Sequence, residues 1–124
     1  DYKPVTQSSA AFNALYQFRN GHLIRHQADR QPVAIYFNEK PFTQKIIPYQ
    51  EGDTFYIFTD GYSDQFGGKD GKKYKKRPFQ QLLLQIHQES MNVQKEVLNR
   101  NLQDWMGSEY DQVDDILVMG FRII

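Results

Sequence analysis

Cysteine is missing altogether from these 124 residues, which excludes disulfides, cysteine-based zinc sites and thiol nucleophiles. Net charge is missing too: fifteen Lys and Arg balance fifteen Asp and Glu, so no overall field directs the chain toward nucleic acid or an anionic membrane. No apolar run is long enough to span a bilayer and no signal-peptide pattern is present, so a soluble, cytoplasmic segment without membrane contact of its own is expected. There is no internal repeat and no low-complexity linker, and the length suits one domain or a large part of one. What the chain does have is aromatic mass. Eight Tyr and nine Phe fit a β-rich core, where large rings fill the space over a pleated surface.

Turn chemistry and periodicity divide the chain into a strand-rich first half, a helical segment and a last strand. Asn20-Gly21 favours a two-residue type I′ turn, because both positions accept positive φ, and predicts a hairpin of Ala14 to Arg19 with His22 to Gln27. Phe42 to Pro48 and Asp53 to Thr59, joined by Gln50-Glu51-Gly52, read as a second antiparallel pair. Pro78 suits the first position of a helix whose apolar stripe is Phe79, Leu82, Leu83 and Ile86. Ser90 caps a second helix that buries Val93, Val97, Leu98, Leu102 and Trp105 and ends at Gly107. Val113 to Ile124 reads as the closing strand.

Two acidic blocks carry the chemistry. Thr59-Asp60-Gly61-Tyr62-Ser63-Asp64 directly follows the strand-like run Thr54 to Phe58, and Asp114-Asp115 opens the apolar run Ile116 to Ile124. Carboxylates at the ends of two strands suit a hard divalent cation such as Mg²⁺ or Mn²⁺. Spacing alone leaves plainer readings standing. Asp60 before Gly61 is equally a turn former. Asp114 and Asp115, facing opposite sides of a strand, could mark no more than a strand entry. Asp64 could reach a metal through water or bond its own backbone. The run Gly67 to Arg77 is basic; a solvated loop is the plain reading. In the alternative, Lys72, Lys73, Lys75 and Lys76 overhang the acids and attract a phosphorylated substrate. His22 and His26 share one strand face without a third ligand and read as surface residues. His87, beside the apolar stripe, reads as structural or exposed, and Trp105 as core.

The blocks resemble the SpoIIE-like branch of the PPM-type, type 2C-like, metal-dependent serine/threonine protein phosphatases. Gly52-Asp53 through Thr59-Asp60-Gly61, with Asp64 following, is similar to the family's G-D-(apolar strand)-(T/S)-D-G block. Asp114-Asp115-Ile116-Leu117 is similar to its D-(D/N)-(I/M)-T block, with Leu117 in place of Thr. Asn13-Ala14-Leu15-Tyr16, Arg19-Asn20-Gly21 and Gln31-Pro32-Val33-Ala34 resemble further segments, with Ala14 for Pro and Ala34 for Gly. The family's upstream Asp-x-Ser-Gly-His-Gly block, which supplies the bridging metal aspartate, has no counterpart here.

The resemblance implies an α+β fold of antiparallel sheets with helices outside, of which residues 1–124 are expected to be the C-terminal part, cut from a longer polypeptide that carried the N-terminal part. It implies a two-metal Mn²⁺ or Mg²⁺ site in the complete domain, with Asp60 and Asp114 as ligands, Asp64 and Asp115 supporting them, and metal-activated water in place of a protein nucleophile. The implied substrates are phosphoserine or phosphothreonine proteins, often regulators of bacterial transcription such as those controlling sigma factors. Without the bridging aspartate, this segment alone is expected to be inactive or incomplete. The competing expectation is a catalytically dead, phosphatase-like protein-binding module; nucleic-acid binding through the basic loop ranks last. Sheet edges opened by the missing part predict a homodimer.

Overall fold

The computed structural model describes residues 14–27 and 46–124. Asn20 and Gly21 both take positive φ, 48° and 79°, and close the expected hairpin. Its strands are β1 (Ala14–Arg19) and β2 (His22–Gln27), paired from Arg19↔His22 back to Ala14↔Gln27. Strand β3 (Thr54–Phe58) pairs antiparallel with the other edge of β1. A small ribbon follows, β4 (Phe66–Gly67) with β5 (Lys72–Lys73). Then come helices α1 (Lys76–Ile86) and α2 (Met91–Met106), and β6 (Val118–Arg122) returns to pair with β3. The main sheet is antiparallel with order β2-β1-β3-β6.

The core follows from strand alternation. Ala14, Tyr16 and Phe18 of β1 and Tyr56 and Phe58 of β3 are buried in one cluster with Phe79, Leu83 and Ile86 of α1 and Leu102 of α2. The Tyr16 and Phe58 rings lie 4.5 Å apart and Phe58 meets Phe79 at 5.2 Å. Each such fully buried side chain contributes about 1.5–3 kcal/mol. The cluster is what fixes β3, and with it the strand end that carries the acids.

Four expectations change. The helix containing Pro78 begins two residues earlier, at Lys76, because the incoming chain is held by Lys75 N donating to Ser63 O at 2.7 Å and Tyr74 N to Gln65 O at 2.9 Å. Pro78, third in the helix, costs nothing there, since first-turn amides have no partner within the helix. The predicted partner of β3 is replaced by β1 and β6: residues 46–50 form no strand, and 42–45 lie outside the described residues, as do Asn13 and 31–34. The closing strand covers only Val118–Arg122, because the Thr59 side chain takes the place of ladder bonds before it. On α2 the inward position is Gln94, which is buried, while Val93 is 39% exposed. Gln94 Oε1 accepts from Tyr56 Oη at 2.5 Å and its amide donates to His87 O at 3.2 Å, so the helix meets the sheet through a satisfied polar group. Ser90 and Gly107 bound α2 as expected. His87 is buried, stacked on Phe18 at 5.2 Å, and its carbonyl also receives Thr54 Oγ1 and Arg122, which makes it structural.

Candidate metal centre

The two acidic blocks abut. Thr59, one residue past β3, donates its amide to Leu117 O at 3.0 Å. Its hydroxyl donates to Asp115 O at 2.9 Å and accepts from Leu117 N at 3.1 Å, so one side chain clamps both sides of residue 116. Gly61 is required beside it, because a Cβ at that position would lie 2.1 Å from Asp115 O. The approach of the Asp60 loop to the Asp114-Asp115 backbone therefore depends on the missing side chain at 61.

The loop itself is wound tight. Asp64 N and Ser63 Oγ both donate to Asp60 O, at 2.9 and 3.2 Å. Tyr62 anchors it: the phenol donates to Leu98 O at 2.8 Å and accepts from Asn101 Nδ2 at 3.0 Å. Burial pushes that phenol up to about 12, partly offset by the Asn101 hydrogen bond. Trp105 Nε1 donates to Gln65 O at 2.8 Å and closes the far end of the turn.

Around this turn the sequence-predicted residues are placed unequally. The Asp60 side chain is 39% exposed with Oδ1 3.8 Å from Lys76 Nζ, and Asp64 is 43% exposed with Oδ1 3.8 Å from Lys73 Nζ. Asp114 and Asp115 are exposed, and Asp114 Oδ1 accepts the Asp115 amide at 2.8 Å. Asp115 meets the first block through its backbone carbonyl. Of the four lysines, Lys73 and Lys76 reach the acids, whereas Lys72 and Lys75 are simply exposed. His22 is exposed, and His26 Nε2 pairs with Gln17 Oε1 at 2.7 Å.

The donor set fits a hard cation. All the acids offer oxygen, the cradle at Gly61 brings the two blocks together, and ammonium groups already stand beside Asp60 and Asp64. Mg²⁺ is commonly held by about one or two carboxylates with the remainder water, so these blocks could serve one such ion. Among the described residues no group of three or more His, Cys, Asp or Glu is close enough to form a self-sufficient site. A two-cation centre needs further ligands.

Sequence reasoning passed over the most perturbed acid. Asp53, at the opposite end of β3 from Asp60, is 1% exposed. It accepts from Arg19 Nε at 2.9 Å, Arg19 Nη2 at 2.7 Å, Gln17 Nε2 at 2.8 Å and Gln50 N at 2.8 Å. The Arg19 hydrogen bonds, against the opposing cost of burial, hold its carboxyl far below the usual range, and they raise Arg19 in turn. The sequence carries half of the signal, since Gln17 and Arg19 are two apart and hence on one face of β1, whereas the Phe18↔Thr54 pairing that brings them level with Asp53 exists only in the fold.

The sequence pattern of the SpoIIE family, Stage II sporulation protein E, matches residues 3–124. The structure is similar to that of the SiaA-PP2C domain of Pseudomonas aeruginosa, with a TM-score of 0.76 and 28% identity. The match covers 93% of this chain and 44% of that one, so the chain spans less than half the length of that domain. No curated protein matches the chain. Among the described residues no helix is long and apolar enough to cross a membrane.

Proposed function

This chain belongs to the SpoIIE family of PP2C-like phosphatases, and on that premise we propose that it supplies Asp60 and Asp114 as ligands of Mn²⁺ or Mg²⁺ in a protein serine/threonine phosphatase. The observation that carries this reading is the clamp between the blocks: Thr59 Oγ1 on Asp115 O and Leu117 N, with Gly61 against the same carbonyl. A bound divalent cation supplies a water of lowered pKa and polarises a phosphoryl oxygen. The chain's own residues hold the geometry. Asp60 and Asp114 offer charge to the cation, Asp64 and Asp115 support the loop and the following backbone, and Tyr62 with Asn101 keeps the turn seated on α2.

The substrate class in this proposal is a phosphoserine or phosphothreonine protein of bacterial signalling, such as a regulator of transcription or sigma factors, met in the cytoplasm. Hydrolysis would need ligands that the described residues do not supply. The chain's 44% coverage of the SiaA-PP2C domain supports a division in which other polypeptide contributes them. That same lack of a three-ligand group favours the second reading, a phosphatase-derived protein-binding module. Self-association also belongs to the proposal, since Met119 and Phe121 on β6, at one end of the sheet order, are 50% and 46% exposed.

Mn²⁺-dependent hydrolysis of a phosphoserine peptide tests the reading, in a version extended to the length of a whole domain. Activity that disappears in Asp60→Asn is expected. A folded extended protein with no activity at any Mn²⁺ concentration would instead favour the binding module.

A further inference from the structure

The β4–β5 ribbon is tied to the acidic turn by its backbone. Lys75 N donates to Ser63 O at 2.7 Å and Tyr74 N to Gln65 O at 2.9 Å, and the Tyr74 hydroxyl accepts from Asn101 Nδ2 at 3.1 Å. Between ribbon and α1 stands Lys75 at φ 81°, a conformation a non-glycine residue adopts only when its surroundings impose it. The consequence is a specific placement of charge. Lys73, just before Lys75, stands 3.8 Å from Asp64, and Lys76, just after it, stands 3.8 Å from Asp60.

Both separations exceed a hydrogen bond, and all four side chains are between 39% and 52% exposed, so these are loose ion pairs. A divalent cation binding Asp60 would displace a single ammonium charge held on a flexible four-carbon arm. That arm then lies beside the cation with its charge uncompensated, where a phosphoryl anion is the natural partner for it.

We propose that Lys76, assisted by Lys73, determines specificity at this site: its ammonium pairs with Asp60 in the metal-free chain and turns to the phosphoryl oxygens of the substrate once a cation occupies the carboxylate. This rests on the metal reading above and adds the group that recognises phosphate. Lysine and divalent cation compete for one carboxylate, whereas lysine and phosphate cooperate. The two effects of removing the lysine are therefore opposite in sign, which a merely solvated lysine would not produce.

The test, in the same version extended to the length of a whole domain, measures Mn²⁺ binding by electron paramagnetic resonance and inorganic phosphate binding by calorimetry at matched Mn²⁺ saturation. Lys76→Met should bind Mn²⁺ more tightly, by up to about fivefold for the loss of an exposed pair, and should bind phosphate at least threefold more weakly. Lys76→Arg should restore phosphate binding, and Lys69→Met, at the exposed tip of the same ribbon, should change neither quantity. If Asp60→Asn abolishes Mn²⁺ binding but Lys76→Met leaves both affinities unchanged, the lysine role is overturned and the metal site stands. Equal Mn²⁺ binding by the wild type and Asp60→Asn overturns the metal reading and this inference with it.

Discussion

Strand β3 has an aspartate near each end, and the two have opposite fates. Asp53 is sealed under Arg19, Gln17 and the Gln50 amide, with every contact made inside the fold. Asp60 lies on an open turn with a lysine at 3.8 Å and 39% of its side chain in solvent. The same residue type, seven positions on, is a fastener at one end and a half-exposed turn residue, the proposed ligand, at the other. Strong perturbation marks a structural acid at Asp53: its carboxyl is held low by hydrogen bonds from Arg19, Gln50 and Gln17, which already consume its capacity.

The contrast can be broken most forcefully at Asp53. Asp53→Ala should cost about 3 kcal/mol, since it strands the Arg19 charge and the Gln17 amide beside a buried gap. A urea unfolding midpoint within error of wild type would refute that assignment. Next comes Gly61→Ala, which drives a methyl into Asp115 O and should cost about 1–3 kcal/mol while weakening Mn²⁺ binding. Loss of stability without loss of metal affinity would show that the two blocks need not touch to share a cation.

Acid titration separates the two ends more gently. The folded pKa of Asp53 lies below its unfolded value of about 3.9, so its contribution is complete above about pH 4 and is lost as pH falls through the folded value. Stability measured by denaturant from pH 5 down to pH 2 should therefore decline less steeply in Asp53→Asn than in wild type. The smallest stability change belongs to Asp60→Asn, expected within about 0.5 kcal/mol of wild type because the side chain is 39% exposed and its pair with Lys76 is loose. Its thermal midpoint should barely move even as Mn²⁺ binding is lost. A large destabilisation would mean that Asp60, too, is part of the scaffold.

Much of the fold was legible because its signals are short-range. Asn20-Gly21 specified a hairpin whose register agreed residue for residue, and Ser90 and Gly107 bounded α2, since turns and caps are decided by residues a few positions apart. Boundaries failed where distant groups intervened. The predicted closing strand took in Val113 to Leu117, yet Asp115 O and Leu117 N bond the Thr59 hydroxyl from far along the chain instead of a ladder partner. Gln94 interrupted the predicted apolar face of α2 because Tyr56 offers it a buried partner that no helical periodicity announces. For the candidate site, Asp60, Asp64, Asp114 and Asp115 could be proposed from the sequence, whereas the structural role of Asp53 could not be read without knowing which acid faces Arg19.

By itself, then, the sequence determined the hairpin, the two helices, the aromatic core and the identity of the acidic blocks, because each rests on local backbone preference or on apolar periodicity. Only the tertiary structure decided which aspartate is buried, where β6 begins, that Gly61 lets the two blocks meet, and that Lys73 and Lys76 rather than their neighbours stand over the acids. Those outcomes depend on hydrogen bonds and close approaches between segments remote in sequence, whose geometry exists only once the sheet has brought the strands side by side.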